Sequence, residues 1–231
     1  MSSLEQTDRS ALRRIAQGAV HTIGSTFVGR LVNWVAVIVL TRELTPEDIG
    51  HVALAAAILG IVVGARNFGL HLALIRQYDR VDELAPTHFV INTAMSTIGT
   101  LAAGAIAYFY VLPENGQAVA ASLSVFALFD LLRGTAQTAE TKLRRDLEFT
   151  ALAHMHAISL VLAAAGGIAL VYMGAGYWAL VFSHAVFGVG YVSLYALQVW
   201  RKRPPWPLKL SEFDRDGAWD LLSYGRWVWA G

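Results

Sequence analysis

Ala151–Met173 reads ALAHMHAISLVLAAAGGIALVYM, and after Gly174-Ala175-Gly176-Tyr177 the chain continues through Trp178–Trp200, WALVFSHAVFGVGYVSLYALQVW. Neither stretch contains Asp, Glu, Lys or Arg. A bilayer core of ~30 Å needs about 20 helical residues, and a helix that is apolar all round needs lipid or a large protein around it. The two stretches therefore predict a pair of membrane spans joined by a tight glycine turn. Working outward, similar segments run over Gly18–Thr41, Ile49–Arg66, Thr87–Leu112 and Ala118–Thr141. Their breaks carry turn residues: Thr45-Pro46-Glu47-Asp48 and Leu112-Pro113-Glu114-Asn115-Gly116. Composition agrees. Apolar residues make up 55% and charged residues 15%, against roughly 25% charged in soluble domains, so there is too little polar material for a water-covered surface. The fold class that follows is all-α: a polytopic transmembrane helical bundle of six spans plus the start of a seventh.

The domain reading is a polar N-terminal segment at 1–17, a six-helix lobe at 18–200, a polar linker at 201–220 and the first turns of a seventh span at 221–231. The N-terminal segment leads into an apolar run too long for a signal peptide and without a small-x-small cleavage site, so the first span is read as uncleaved. Eleven residues at the end do not cross a bilayer, so the chain is expected to be the N-terminal part of something larger. Leu70–Glu83 mixes Leu70, Leu72, Leu74 and Ile75 with Arg76, Asp79 and Arg80; it reads as a short interfacial helix or re-entrant piece.

Where the charges sit matters more than the net +1. Basic residues cluster in the N-terminal tail (Arg9, Arg13, Arg14), the second loop region (Arg66, Arg76, Arg80), the fourth (Lys142, Arg144, Arg145) and after span six (Arg201, Lys202, Arg203, Lys209, Arg215). The other three loops contain Arg42 alone. By the positive-inside rule the N-terminus of this multi-pass protein lies in the cytoplasm. Tyr108, Phe109, Tyr110, Tyr177 and Trp178 then fall at the outer interface, with Trp200 and Trp206 at the inner one.

Polar residues inside spans are expensive and mark either helix packing or a pathway. In span one, Thr22, Thr26, Arg30, Asn33 and Thr41 share one helical stripe. Arg30 lies about 18 Å from the cytoplasmic end; it is either half of a structural ion pair or a contact for an anionic substrate. In span four, Asp130, Arg133, Gln137 and Thr141 share a face. At nearly the depth of Arg30, Asp130 is expected to be a counter-ion to both Arg30 and Arg133; the competing reading is an Asp130–Arg133 pair that satisfies itself. Asn92, Ser96 and Thr100 form a milder stripe in span three that either lines the same cavity or binds neighbouring helices. Arg66 closes span two as a snorkelling anchor or headgroup contact. The candidate substrate-binding set is Arg30, Asn33, Arg66, Asp130 and Arg133.

Gly60-x-x-x-Gly64 is a small-residue pair whose default role is helix packing. His154 and His156, two apart, point to different faces, which argues against a metal site; His21 and His184 read as structural. With no cysteine, thiolate sites and disulfides are excluded. No nucleophile elbow, phosphate loop, zinc-protease or dinucleotide motif is present, so no catalytic residue, metal or cofactor is assigned and no nucleic-acid partner is expected.

Several stretches together resemble the polysaccharide-type flippases of the multidrug/oligosaccharidyl-lipid/polysaccharide exporter superfamily. They are Leu40-Thr41-Arg42-Glu43-Leu44-Thr45-Pro46-Glu47-Asp48-Ile49-Gly50, with Ile49 where that family has an aromatic; Asn67-Phe68-Gly69-Leu70 with Ala73-Leu74-Ile75-Arg76-Gln77; Leu143-Arg144-Arg145-Asp146-Leu147-Glu148-Phe149; Gly174-Ala175-Gly176-Tyr177-Trp178-Ala179-Leu180-Val181; and Leu222-Ser223-Tyr224-Gly225. Their order and spacing run along nearly the whole chain. The resemblance implies a two-lobe transporter, with this chain as its N-terminal lobe, a C-terminal lobe as partner, and a polyprenyl-diphosphate-linked oligosaccharide as substrate moved between leaflets for surface polysaccharide export. Arg30, then Arg133 and Arg66, are the expected contacts for the diphosphate, chosen by depth and chemistry. Alone, the 231-residue chain is expected not to support export. The alternatives are a cation-coupled antiporter of the same superfamily, with Asp130 as its ion site, a membrane-embedded polymerase or glycosyltransferase, which the short outer loops disfavour, and a purely structural membrane subunit.

Overall fold

The computed structural model describes residues 24, 27–66, 69–76, 80–114, 116–201 and 213–230. These residues are helical or in tight turns, with no strand among them. The helices are α1 (27–43), α2 (Pro46–Arg66), α3 (Leu70–Arg76), α4 (Val81–Ile106), α5 (Gln117–Arg145), α6 (Phe149–Tyr172), α7 (Trp178–Arg201) and α8 (Arg215–Ala230). A π-helical turn, Ala107–Val111, and a 3₁₀ turn, Leu112–Glu114, extend α4. Among the described residues, five stretches are long and apolar enough to cross a membrane: α2, α4 with its extension, α5, α6 and α7. The start of the expected first span, and much of the 201–220 linker, lie outside the described residues.

Each tight connection has a local chemical cause. Between α1 and α2, Thr45 is the N-cap: the Asp48 N–H donates to Thr45 Oγ1 at 3.1 Å and the Thr45 N–H donates back to Asp48 Oδ2 at 3.3 Å. This is a reciprocal capping box, and Pro46 at the first helical position gives up a hydrogen bond that would go unmade anyway. Between α6 and α7, Gly174 adopts φ +79° while the Ala175 N–H reaches back to Leu170 O at 3.1 Å; left-handed backbone of this kind is where a missing Cβ matters. The α5–α6 turn uses the same closure, Glu148 N–H to Leu143 O at 2.9 Å, with Leu147 at φ +56°.

Unlike a water-soluble bundle, this one carries an apolar exterior as well as an apolar core, with a few polar residues buried among the helices. Phe27, Trp34, Ile61, Leu101, Tyr108 and Tyr110 point outward, while Thr87, His88, Asn92, Ser96, Thr138 and Ser159 are buried. Helix α5 lies at the centre, packed on α2, α4 and α7. Toward its N-terminus Leu123, Phe126 and Ala127 meet Ala55 of α2, Ala103 of α4 and Val181 of α7. Toward its C-terminus Ala136 and Leu143 meet Met155 of α6 and Tyr191 and Tyr195 of α7. Helix α1 packs through Ala36, Leu40 and Leu44 on Val171 of α6 and Ala179 of α7.

The Asn92–Ser96–Thr100 stripe bonds to a neighbouring helix. Asn92 Nδ2 donates to Gly134 O of α5 at 2.6 Å, and Thr100 Oγ1 donates to Ala127 O at 3.0 Å. Alongside them His88 Nδ1 meets Thr138 Oγ1 at 2.9 Å. These contacts fasten α4 to α5, and the fit depends on Gly134, whose position leaves no room for a Cβ beside Ser96. The Gly60/Gly64 pair, by contrast, mediates no packing among the described residues: nothing lies within 4 Å of a Cβ built at either. Leu59 packs on the core and Val63 faces a cavity; the glycines sit about 100° further round the helix.

Within the expected Leu70–Glu83 segment the described residues form α3 and the first turn of α4, so α4 begins at Val81 rather than Thr87. Helix α8 likewise starts at Arg215, six residues ahead of the expected seventh span. Asp214 causes this. Its Oδ1 accepts the Asp216 N–H at 3.0 Å as an N-cap, its own N–H donates to Thr87 Oγ1 at 2.9 Å, and its Oδ2 takes Arg80 at 3.3 Å. Ala218 and Leu221 of α8 then close on Leu70, Ala73 and Leu74 of α3 and Leu84 of α4, and the Arg76 guanidinium stacks 4.7 Å from the Tyr224 ring centre.

Gly134→Ala will force α4 and α5 apart, with an expected cost of about 1–3 kcal/mol for overpacking. In thermal unfolding of the detergent-solubilised protein the single variant should melt lower, and Gly134→Ala with Ser96→Gly should recover most of the loss.

Candidate functional site

The polar face of α5 opens into a cavity of about 360 Å³. Helix α2 supplies Val63 and Arg66, α3 supplies His71, Leu72 and Ile75, and α5 supplies Asp130, Arg133, Gly134, Gln137, Glu140, Thr141 and Arg144. Positions 130, 133, 137, 140–141 and 144 of α5 recur at helical spacing, so one face of a 29-residue helix carries the whole wall. The cavity lies toward the end of the bundle that collects the basic residues. There Lys142 pairs with Asp82 at 2.5 Å, Arg144 with Glu140 at 2.6 Å and Arg80 with Glu83 at 2.9 Å.

At its inner end Arg66 Nη2 forms an ion pair with Asp130 Oδ2. Their side chains are only 12% and 14% exposed. Arg66 is not satisfied by this contact: Nε and Nη1 are buried without a hydrogen-bond partner. The guanidinium lies along α4 at Gly99, where a Cβ would stand 3.0 Å from Arg66 Cδ and 3.4 Å from Nη1. Arg133, one turn along α5 from Asp130, is exposed in the cavity. The lining therefore holds three guanidinium groups against two carboxylates, an excess of positive charge in a recess between apolar helices. Such a recess suits an anion with several oxygen acceptors, because Arg offers fork-shaped donors to phosphate and keeps its charge when desolvated.

Of the residues singled out by sequence, Arg66, Asp130 and Arg133 come together here. Arg30 does not join them, and the ion-pair partner of Asp130 is Arg66. The reason is helix placement: α1 packs on α6 and α7, while the charged face of α5 looks toward α2 and α3. Arg30 is exposed on α1 and lines neither this cavity nor the second one. Asn33 lines that second cavity, about 400 Å³ between α1, α6 and α7, with His156, Ser183, His184 and Phe187. His71, Glu140 and Arg144 were not in the sequence-derived set. Continuing the α5 stripe past Gln137 by three and seven residues would have found the last two. His71 arrives through the fold of α3, which no spacing announces. Among the described residues, no group of three or more His, Asp or Glu is placed to hold a metal.

Neutralising one member of the Arg66–Asp130 pair strands the other charge, at an expected cost of about 3–5 kcal/mol. Asp130→Asn and Arg66→Gln should each destabilise the protein, and the double variant should be more stable than either. Additive losses in denaturation of the purified variants would mean the two groups do not depend on each other.

No curated protein and no solved structure shows significant similarity to the chain. The sequence model of the polysaccharide biosynthesis protein family matches residues 39–231, which takes in every helix from α2 to α8. With its membrane-crossing helices and matching sequence, the chain belongs to the polysaccharide biosynthesis protein family.

Proposed function

We propose that the chain is the N-terminal lobe of a flippase that carries a polyprenyl-diphosphate-linked oligosaccharide across the plasma membrane, with the α2/α3/α5 cavity receiving the diphosphate. Family membership supports a role in polysaccharide biosynthesis or export. The observation that carries the finer reading is the cluster of Arg66, Arg133 and Arg144 in one recess of a membrane bundle. A lipid-linked substrate keeps its tail in the bilayer and must bring its charged headgroup past apolar helices, where only protein charges replace water. The distribution of basic residues supports a cytoplasmic opening for the cavity, the side on which such substrates are assembled in this reading. Ion-pairing of Asp130 with Arg66 counts against an antiporter that would use Asp130 as a free cation site.

Because the protein has no cysteine, single-cysteine variants report orientation directly. Pro113→Cys and Ala175→Cys should react with a membrane-impermeant maleimide from outside intact cells, and Asp146→Cys only after permeabilisation. The reverse pattern sinks the proposed orientation.

In lipid nanodiscs, the purified chain should bind a sugar-bearing polyprenyl diphosphate and ignore the uncharged polyprenol. Arg66→Ala and Arg133→Ala should each weaken binding about tenfold or more, as expected for loss of a charge-assisted phosphate contact. Unchanged affinity in both variants rules the cavity out as the headgroup site, and formation of a glycosidic bond during incubation would favour a transferase.

A further inference from the structure

Resting on that headgroup reading, we propose that Asp130 is a resident competitor for Arg66: its carboxylate occupies the guanidinium that one phosphate of the ligand takes over, so the site admits doubly charged headgroups and turns away singly charged ones.

The geometry of the pair carries this. Asp130 reaches Nη2 alone and leaves Nε and Nη1 of Arg66 buried and unspent. The stronger, bidentate form would set the fork of the guanidinium on both carboxylate oxygens, and this pair does not use it. Here two donor groups of a nearly buried cation wait without acceptors beside a cavity large enough for a headgroup. Polar groups buried in this way cost free energy until something binds them.

Charge decides what can take the place of Asp130. A phosphodiester-linked sugar lipid carries one negative charge, the same as the carboxylate it must displace. The carboxylate is also tethered to α5, and a tethered ligand competes at high effective concentration. A diphosphate-linked lipid carries two charges. One phosphate can replace Asp130 on Arg66 while the other meets Arg133, which stands three residues from Asp130 on the same face of α5 and lines the same cavity. The displaced carboxylate stays near Arg133, so the exchange does not strand it in an apolar place. Asp130 is thus a specificity-determining residue whose action runs through Arg66.

The test compares nanodisc binding of two lipids with the same sugar and the same polyprenyl tail, one linked by monophosphate and one by diphosphate. Wild-type protein should prefer the diphosphate by tenfold or more; this measurement needs no substitution, and a preference under threefold overturns the proposal. Asp130→Asn should bind both lipids more tightly than wild type, with the larger gain for the monophosphate, so that the preference shrinks severalfold. Asp130→Glu, which keeps the charge, should keep the preference. If Asp130→Asn weakens both lipids equally or leaves the ratio unchanged, Asp130 is a structural partner of Arg66 and the competitor role fails. That failure is distinct from loss of the headgroup reading itself, which is marked by Arg66→Ala and Arg133→Ala binding both lipids as wild type does.

Discussion

A charge carried into hydrocarbon has to be answered by another part of the same protein, and this requirement organises the bundle around α5. Asp130 sits near the middle of a long membrane helix, where water does not compensate it. Its answer comes from Arg66 at the far end of α2, which fixes α2 against α5 and leaves the space beneath α3 as a charged recess. The desolvation of two ions is large, and a buried pair adds little net stability compared with apolar residues of the same shape. What the pair supplies is position: Arg66 is held across α4 at Gly99 with part of its donor capacity unspent.

The interface between α4 and α5 follows from the same scarcity of water. Lipid gives helices no hydrophobic reason to associate, so close approach of small residues and interhelical hydrogen bonds do the work. Asn92, Thr100 and His88 bond across to α5, and Gly134 lets Ser96 sit against its backbone. These are the residues that, seen in sequence, look like the lining of a polar pathway. Their hydroxyl and amide groups are consumed in joining two helices, whereas the guanidinium and carboxylate groups, which cannot be neutralised by one backbone carbonyl, are the ones left facing a cavity.

The fold was legible from sequence because its determinants are local. Apolar runs long enough to cross a bilayer, broken at Thr45-Pro46 and Gly174-Ala175-Gly176, place α2, α5, α6 and α7 within a few residues of where they lie. The start of α4 and of α8 was missed because each depends on a tertiary contact: Asp214 caps α8 while holding Thr87 and Arg80 of the α4 end. The site was half legible. The stripe Asp130–Arg133–Gln137 named residues that do line one cavity, since periodicity reveals which residues share a face. It does not reveal which helix that face meets. Equal depth suggested Arg30 as the partner, but depth is one coordinate of three, and the azimuth of α1 around the bundle puts it on α6 and α7.

One consequence follows from where α3 lies. Its seven residues are sandwiched, with Leu70, Ala73 and Leu74 against α8 and α4, and His71, Leu72 and Ile75 forming the roof over the charged recess. The roof is therefore bolted to α8 by apolar packing and by Arg76 on Tyr224. The chamber wall is thus shared property: the helix most distant in sequence from Arg66 is in direct packing contact with the piece of chain that covers it.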